Sequence, residues 1–439
     1  MYKNMKSILG KNATNYLFLH SNITNMKKVC IKFSGCRRRS LDAQRIKTYF
    51  EKNGYEIVYD PKIADINILG CCAFHEHMAN TNLKKIEKFQ RYKGELIVAG
   101  CLPIIEKEKL AKIFNGRTLG TKYINDIDKL FPDSKIKFED IEDANFKYSS
   151  KKHNYIKSSL RKFKPIEKFY LKIDKFIYRN LVGKNSLQDL AFPRHQKLFH
   201  VRIGNGCNSK CTFCVIRKSN GPFKSKPLDQ CIKEFKKGLS LGYKRFMITA
   251  TNPGYYGLDI NSSLAELFDN FTSYSGDFDI SIRGVYPEFI IKYIDEFEES
   301  FKRNKIKSIN IPIQSGSRRI LKLMNRDIDL VKLKNAIKRL QDASPNLVID
   351  CNYIIGFPTE TDEDFQKTLN LIKEIDSKIV YFFPFSARPG TIANELEPKV
   401  TKKQMKQRKK IAKKTLKSYG YSAKLLSLMK LPLFQKNYK

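Results

Sequence analysis

The stretch GNGCNSKCTFCVIRKSNGP, residues 204–222, holds three cysteines within eight residues, at Cys207, Cys211 and Cys214. The chain has 439 residues and ten cysteines, no apolar run that approaches a membrane span, and no clean signal-peptide pattern in its first twenty residues. We therefore expect a soluble, cytoplasmic protein. Thiols stay reduced in the cytosol, so this cysteine usage indicates metal or redox chemistry rather than disulfides.

Two kinds of metal centre suit three thiols on one loop. A zinc site needs a fourth ligand, which His195 or His200 would have to supply. An iron-sulfur cubane can take three closely spaced thiolates and keep one iron open for a substrate. The second arrangement permits catalysis as well as electron storage.

From residue 197 onward the chain contains six apolar segments, with amphipathic helical runs between them. They are KLFHVRIG, KRFMITA, FDISIRG, IKSINIPIQSG, NLVIDCNYIIGF and KIVYFFPF. This alternation predicts a partial (β/α)6 barrel over residues 196–398. The three-cysteine loop comes directly after the first strand, which predicts a position at the C-terminal mouth of the barrel.

Residues 28–134 also alternate between strands and helices, which predicts an α/β domain with a doubly wound parallel sheet. One helix is expected to begin with Ser40 as its N-cap and to end at Gly54. Cys36, Cys72 and Cys101 each fall just beyond the end of a different predicted strand, and such ends face one crevice. The alternative is burial in the core, which we expect for the remaining cysteines Cys30, Cys71, Cys231 and Cys351.

Three further segments complete the predicted organisation. Residues 1–27 form an N-terminal extension, and residues 399–439 form a basic helical tail. Residues 135–195 are basic and rich in Phe and Tyr, so they predict either a nucleic-acid-facing insert or a connector whose aromatics dock on the core. The formal net charge of +39 favours a polyanionic partner, although a general lysine bias of the proteome would produce it too.

Several motifs resemble those of the radical S-adenosylmethionine (SAM) methylthiotransferases. The C-x3-C-x2-C spacing is typical of radical-SAM enzymes, and GCNSKCTFCVIRKSNGPFKSKP, IPIQSGSRRILKLMNR, IIGFPTETDEDF and FPFSARPGT are similar to this family. Upstream, GCRRRSLDAQ, ADINILGCCAF and IVAGC resemble its N-terminal domain. The resemblance covers residues 28–110 and 198 to about 415, in the family's order.

The resemblance implies cofactors and ligands. Cys207, Cys211 and Cys214 would hold a [4Fe-4S] cluster whose open iron binds SAM, and an electron from that cluster cleaves SAM to a 5′-deoxyadenosyl radical that abstracts a hydrogen. Cys36, Cys72 and Cys101 would hold a second [4Fe-4S] cluster that carries the sulfur. An electron donor such as flavodoxin or ferredoxin is implied as a partner.

Further site residues follow from the same resemblance. Phe213 would lie near the adenine of SAM, and Gly356 would let the backbone approach its nucleoside. Three more residues lie at predicted strand ends, namely Arg283, Gln314 and Ser315. Each could contact SAM or the substrate, or could instead form hydrogen bonds that stabilise the fold.

The resemblance implies a tRNA methylthiotransferase that modifies an adenosine near the anticodon, and it leaves two alternatives. One is a methylthiotransferase acting on a protein or peptide side chain, and the other is a zinc-containing nucleic-acid-binding protein without catalysis. The sequence departs from the family at GCC, residues 70–72, where NTC is usual. We also expect the family's C-terminal RNA-binding barrel to be lacking, because the tail is too short for it.

Overall fold

The computed structural model describes residues 26–148, 198–426 and 431–436, with side chains described as far as Ser422. Nearly all of the expected extension 1–27, the insert from 149 to 195 and His195 lie outside the described residues. The described chain divides into two compact units, residues 26–73 with 77–148, and residues 74–76 with 198–436.

The first unit is built on a five-stranded parallel sheet with the order β2-β1-β3-β4-β5. Its strands are β1 (Lys28–Ser34), β2 (Glu56–Val58), β3 (Ile66–Cys71), β4 (Glu95–Gly100) and β5 (Thr118–Gly120). Its helices are α1 (Arg37–Lys52), α2 (Glu76–Phe89), α3 (Leu102–Ile105), α4 (Lys107–Ala111) and α5 (Ile127–Leu130). This confirms the predicted parallel α/β architecture. Every residue of β3 is buried, as expected for an inner strand covered on both faces.

Helix α1 begins earlier than the sequence predicts. Cys36 stands at its N-cap position, whereas Ser40 lies inside the helix, donates its N–H to the Cys36 carbonyl and uses its hydroxyl to contact the Tyr148 carbonyl. The prediction of Ser40 as N-cap is wrong because its side chain has a tertiary partner. Gly54 follows the helix with φ of 82°, as predicted for a stop signal.

The first unit extends beyond the expected boundary at residue 134. Phe138, Ile141 and Tyr148 join its hydrophobic core, and the Tyr148 hydroxyl donates to the Ile31 carbonyl at 2.8 Å. Arg45 fastens the same segment through the carbonyls of Phe138 and Ile141. In residues 135–148, Phe138 and Tyr148 therefore dock on the core, whereas Phe146 is exposed.

The second unit contains an eight-stranded sheet with the order β14-β15-β13-β12-β11-β10-β9-β6. Its strands are β6 (Phe199–Arg202), β9 (Arg245–Thr249), β10 (Asp279–Arg283), β11 (Ile306–Gln314), β12 (Val348–Ile355), β13 (Ile379–Pro384), β14 (Tyr421–Leu426) and β15 (Leu431–Lys436), and β7 (Gly204–Asn205) pairs separately with β8 (Lys224–Ser225). The first six sheet strands in chain order run parallel and match the six predicted segments.

Helices separate the parallel strands of the second unit, and a continuous apolar core fills the space between them. They are α6 (Ile216–Asn220), α7 (Leu228–Ser240), α8 (Leu264–Ser273), α9 (Pro287–Lys292), α10 (Ile294–Lys302), α11 (Arg318–Leu323), α12 (Leu330–Ala343), α13 (Asp362–Ile375) and α14 (Lys402–Ser418). This βα alternation is the predicted partial barrel.

The tail differs from the wholly helical expectation. Helix α14 ends before Gly420, whose φ is 84°, and the chain then forms the antiparallel hairpin of β14 and β15. Pro432 lies in β15 and would not be tolerated in the interior of a helix. Pro432 pairs only with Leu425 of β14, and the pairing of β15 with β13 begins at Leu433. The missing N–H of Pro432 therefore costs no backbone hydrogen bond to β13.

Candidate functional site

The three-cysteine loop is closed at its base by the short ladder of β7 and β8. Cys207 donates its N–H to the Gly221 carbonyl at 3.0 Å, and Phe223 donates its N–H to the Asn208 side chain at 2.9 Å. Gly206 has φ of 90°, and a Cβ there would stand 1.8 Å from the Pro222 carbonyl oxygen. The loop closure therefore requires glycine at this position.

The opposite side of the loop is fixed to the end of α11. Thr212 donates its N–H to the Met324 carbonyl at 3.1 Å and its hydroxyl to the Leu323 carbonyl at 2.7 Å. Ala393 donates its N–H to the Thr212 carbonyl at 3.0 Å. The cysteines are thus held on a loop that is anchored at both sides.

The three thiols lie within electrostatic reach of one another. Cys207 and Cys211 are buried, and Cys214 is partly buried. Burial, followed by the charge of Cys211, raises the pKa of Cys214 to about 11, and Cys207 adds to the effect. Three thiolates in this loop therefore call for a compensating cation, which an iron-sulfur cluster supplies.

A buried guanidinium completes the surroundings of the thiols. Arg326 is 7% exposed, and its Cζ lies 3.4 Å from the centroid of the Tyr286 ring. Burial lowers the pKa of its guanidinium, but the neighbouring Tyr286 and Cys211 outweigh burial and raise it. Within the described residues, its Nε–H has no hydrogen-bond partner. Arg326 lies more than a hundred residues from the cysteines, so the sequence does not predict their proximity, although Arg326 ends the motif IPIQSGSRRILKLMNR.

Phe213 packs against an apolar cluster beside the end of β12. Its ring centroid lies 6.4 Å from that of Phe357 in an edge-to-face arrangement, and the Phe385 ring also packs edge-to-face on Phe357, at 5.5 Å. Gly356 precedes Phe357 with φ of 74°, and the place of its missing Cβ is taken by the Met405 side chain. The structure thus brings Phe213 close to the Gly356 segment, and the space that the missing Gly356 Cβ leaves takes a protein side chain.

A buried ion pair fixes the backbone at Gly356. The Glu360 carboxylate accepts the Gly356 N–H at 2.7 Å and the Arg408 guanidinium at 2.7 Å through the same oxygen. Arg408 also donates to the Glu360 carbonyl and to Asp362. Burial raises the pKa of Glu360 to about 7, although the Gly356 N–H and Arg408 oppose this rise. Helix α14 is thereby joined to the loop that follows β12.

Arg283 lies at the end of β10 and is occupied by an internal ion pair. It donates two hydrogen bonds to Asp350, at 2.9 and 3.0 Å, and the fully buried Asp350 also accepts from the Asn310 amide. These contacts are those of a fold-stabilising group, which was the alternative role.

Gln314 and Ser315 lie together at the end of β11. Gln314 has φ of 78°, a left-handed conformation that is uncommon for residues other than glycine and that occurs often at functional sites. Ser315 is fully buried, its hydroxyl contacts Thr368 Oγ1 at 3.3 Å and it accepts the Ser317 N–H at 3.1 Å. The hydroxyl of Ser315 therefore makes contacts that are internal to the fold. Gln314 differs in having an unusual backbone conformation.

The first unit places the second set of cysteines on three adjacent parallel strands. Cys36 follows β1, Cys72 follows β3 and Cys101 follows β4, and the paired residues Ser34 with Cys71 and Cys71 with Gly100 keep these ends level. Neighbouring strands are about 4.8 Å apart, so three strands span about 10 Å. The three cysteines therefore follow neighbouring strand ends, and among the described residues no group of three His, Cys, Asp or Glu side chains, in either triad, is arranged to hold a metal ion.

The neighbouring cysteines Cys71 and Cys72 have different environments. Cys71 is fully buried, its thiol contacts the Leu69 carbonyl, and burial raises its pKa to about 12. Cys72 is half-buried, and its carbonyl accepts from the Asn82 side chain at 2.7 Å. Only Cys72 of the two is accessible at the end of the strand.

The surroundings of Cys36 favour the thiolate form of its side chain. Desolvation by itself raises the pKa of this thiol, but the charges of Arg38 and Arg39 and hydrogen bonds from both residues outweigh it, so the pKa is lowered. Its position at the N-terminus of α1 acts in the same direction. A thiolate is the form of cysteine that binds metals.

The other cysteines are buried as predicted, namely Cys30, Cys71, Cys231 and Cys351. His200, one candidate for a fourth zinc ligand, is a buried residue of β6 with its Nδ1 3.5 Å from Thr249 Oγ1. Within the described residues, no helix has the length and hydropathy needed to cross a membrane.

Two family models match the chain. Residues 201–372 match the Radical SAM superfamily, and residues 28–119 match the uncharacterized protein family UPF0004. The two matches fall on the two cysteine-bearing parts of the chain.

Three curated relatives cover most of the chain. A probable threonylcarbamoyladenosine tRNA methylthiotransferase of Pyrococcus abyssi is 29% identical and covers 84% of this chain and 79% of its own. A tRNA-2-methylthio-N(6)-dimethylallyladenosine synthase of Thermosipho melanesiensis is 31% identical and covers 84% and 78%. A ribosomal protein uS12 methylthiotransferase of a Thermotoga species is 27% identical and covers 87% and 81%.

The fold is also similar to solved structures. A radical SAM methyltransferase from Kitasatospora setae, determined with cobalamin and a [4Fe-4S] cluster, has a TM-score of 0.56 at 10% identity, and the match covers 84% of this chain and 77% of that one. At this identity the match shows the fold alone.

Proposed function

This chain belongs to the radical-SAM methylthiotransferase family, and from that premise we propose that it is a tRNA methylthiotransferase with two [4Fe-4S] clusters that modifies an adenosine near the anticodon. Its enzyme class follows from the family, whereas the cluster count and the substrate are the proposal. The observation that carries it is the pair of separate cysteine triads, each placed where parallel strands end.

In this proposal each triad has a distinct role. When bound, SAM and the first cluster supply a carbon radical that removes a hydrogen atom, and the second cluster supplies the sulfur. Cys207, Cys211 and Cys214 hold the first cluster, with the loop anchored so that its three thiols stay together. The positive charge of Arg326 lies close enough to Cys211 to interact with it and offsets negative charge there. The electron comes from an outside donor such as flavodoxin or ferredoxin.

The second cluster is assigned to Cys36, Cys72 and Cys101. Cys72 is preferred to Cys71 because Cys71 is fully buried and its thiol faces the Leu69 carbonyl. The lowered pKa of Cys36 supports its role as a ligand.

For SAM binding, the proposal relies first on Phe213 and Gly356. Phe213 is half-buried and packs on Phe357, next to the segment whose backbone Glu360 fixes. Gln314 is assigned a contact to SAM because its backbone conformation is unusual. Arg283 and Ser315 are assigned to support of the barrel, since their polar atoms contact Asp350 and Thr368.

A tRNA substrate is supported by the names of the Pyrococcus and Thermosipho relatives and by the net charge of +39. The test is mass spectrometry of tRNA nucleosides from cells with the gene, without it, and complemented with the variant in which Cys36, Cys72 and Cys101 are alanine. We expect a methylthio-adenosine only with the intact gene. Its presence in cells lacking the gene, or its restoration by the triple variant, would contradict the proposal.

A protein substrate is the second candidate, and the Thermotoga relative that acts on ribosomal protein uS12 favours it. Intact-mass measurement of ribosomal proteins from the same strains distinguishes the two. A methylthio group that appears on a protein, with tRNA nucleosides unchanged, would transfer the assignment to that protein.

A further inference from the structure

Helix α14 carries eight lysines and no acidic residue in seventeen positions. The lysines are all exposed, and they are Lys402, Lys403, Lys406, Lys409, Lys410, Lys413, Lys414 and Lys417. The longer helices α7, α10, α12 and α13 of the second unit mix both signs, for example α7 with Asp229 and Glu234 among its lysines. A uniform lysine bias therefore does not describe α14.

The lysines are confined to one side of the helix. A residue turns the helix by about 100°, which places all eight within an arc of about 140°. The docking side holds Arg408, Ala412 and Leu416, and the rest of the exposed surface is uncharged, with Gln404, Gln407, Ile411 and Ser418. We call the eight-residue arc the lysine face.

The lysine face is not balanced by neighbouring carboxylates. Within the described part of the chain, none of the eight lysines forms an ion pair, whereas the buried Arg408 pairs with Glu360 and Asp362. Lys402 and Lys403 also occupy the first turn, where positive charge opposes the helix dipole. Their placement therefore does not serve helix stability.

The helix is held firmly beside the barrel mouth. Met405, in the second turn of α14, fills the space next to Gly356 at the end of β12, and Arg408 binds the loop that follows. The lysines of the first turns, Lys402, Lys403 and Lys406, are thus carried at the end of the barrel where strand ends meet.

We propose that the lysine face of α14 binds the phosphate backbone of the RNA substrate. This inference rests on the proposed tRNA substrate and deepens it. A helix of seventeen residues is about 25 Å long, enough to contact several phosphates of a structured RNA. Lysine contacts to phosphate give affinity without base specificity, so the face positions the RNA and leaves the choice of nucleoside to the barrel.

The test compares two variants of the full reconstituted protein. The first replaces Lys403, Lys406 and Lys410 with Gln, and the second adds Gln407→Lys, Ile411→Lys and Ser418→Lys, which restores the net charge on the uncharged side of the same helix. Binding of bulk deacylated tRNA is measured from low to moderate salt, together with thermal unfolding to verify folding.

We expect the first variant to bind roughly tenfold more weakly and to lose up to about three units of the slope of log affinity against log salt. The relocated charges should not restore this binding. Wild-type affinity in either variant would overturn the inference, because charge on that face would then be dispensable or interchangeable.

The outcomes separate this inference from the proposed function. If the wild type binds tRNA and forms methylthio-adenosine while the first variant matches it in both, only the lysine face is refuted. If the wild type itself does not bind tRNA, the proposed substrate fails and the inference fails with it. Polyglutamate is the control probe for acidic peptides, and loss of its binding alone would also refute a role in RNA binding.

Discussion

Arg408 and Glu360 form a buried ion pair, with the Arg408 guanidinium 2.7 Å from a carboxylate oxygen that also accepts the Gly356 N–H. Both side chains are at most 3% exposed. The pair joins the basic helix α14 to the segment assigned to SAM.

Removal of Arg408 should be costly. Arg408→Met leaves the Glu360 carboxylate buried without its partner, so we expect a loss of about 3–5 kcal/mol in the free energy of unfolding. Chemical denaturation measures it, and the exposed neighbour Lys409→Met is the matched control, with a change within about 0.5 kcal/mol. The double variant with Glu360→Leu should lose less than Arg408→Met alone. Equal loss in Arg408→Met and Lys409→Met would contradict the burial argument.

Glu360 should make stability depend on pH. Burial raises its pKa to about 7, so the folded state holds the proton more tightly than the unfolded chain. Its stabilising contribution is complete below the ordinary glutamate pKa and decreases as the pH rises through 7. Against Glu360→Gln, which cannot ionise, the wild type should lose roughly 3 kcal/mol between pH 4.5 and 8. If the difference in unfolding free energy between wild type and Glu360→Gln were constant from pH 4.5 to 8, the raised pKa of Glu360 would be refuted.

Asp364 should show the opposite sign. Burial opposes its ionisation, but hydrogen bonds from Arg319, Ser317 and Thr361 prevail and hold its pKa well below the usual range. Its contribution is therefore present above the ordinary aspartate pKa and disappears as the pH falls below it. Asp364→Asn should cost about 2 kcal/mol at pH 7 and progressively less in acid. Unfolding midpoints at several pH values test this, with exposed Asp342→Asn as the control that changes little.

Each cysteine triad should account for one cluster. Replacement of Cys36, Cys72 and Cys101 by alanine should lower the iron content from about eight to about four per chain and leave the SAM-dependent change in the spectrum of the first cluster. Cys71→Ala is the matched control and should keep all the iron. If Cys71→Ala loses iron while Cys72→Ala does not, the ligand assignment between the two is reversed.

Arg326 should tune the first cluster. Its buried positive charge interacts with Cys211, so Arg326→Met should make the cluster harder to reduce by about 60 mV, which is a tenfold effect for one electron. Redox titration followed by electron paramagnetic resonance measures the potential. Tyr286→Phe keeps the ring under the guanidinium and serves as the control with little change.

The sequence predicted the features that depend on local pattern and parallel topology. Cys36, Cys72 and Cys101 lie at adjacent strand ends because βα alternation leaves no other placement for them, and the six strands of the barrel follow the same logic. It did not predict Arg326 near Cys211 or Glu360 beside Arg408, because partners that distant in sequence meet only through packing. The sequence predicts Ser40 as a helix cap because nothing in the neighbouring residues indicates its tertiary contact to Tyr148.

The hairpin of β14 and β15 covers the edge of β13 that the open barrel would otherwise expose. An uncovered inner strand presents unpaired N–H and C=O groups to any other chain with a free edge. A protein shortened at Gly420 would therefore be prone to self-association through β13 even if every cysteine and every contact of α14 were kept. Expression work on this enzyme should retain the final strands as protection against aggregation.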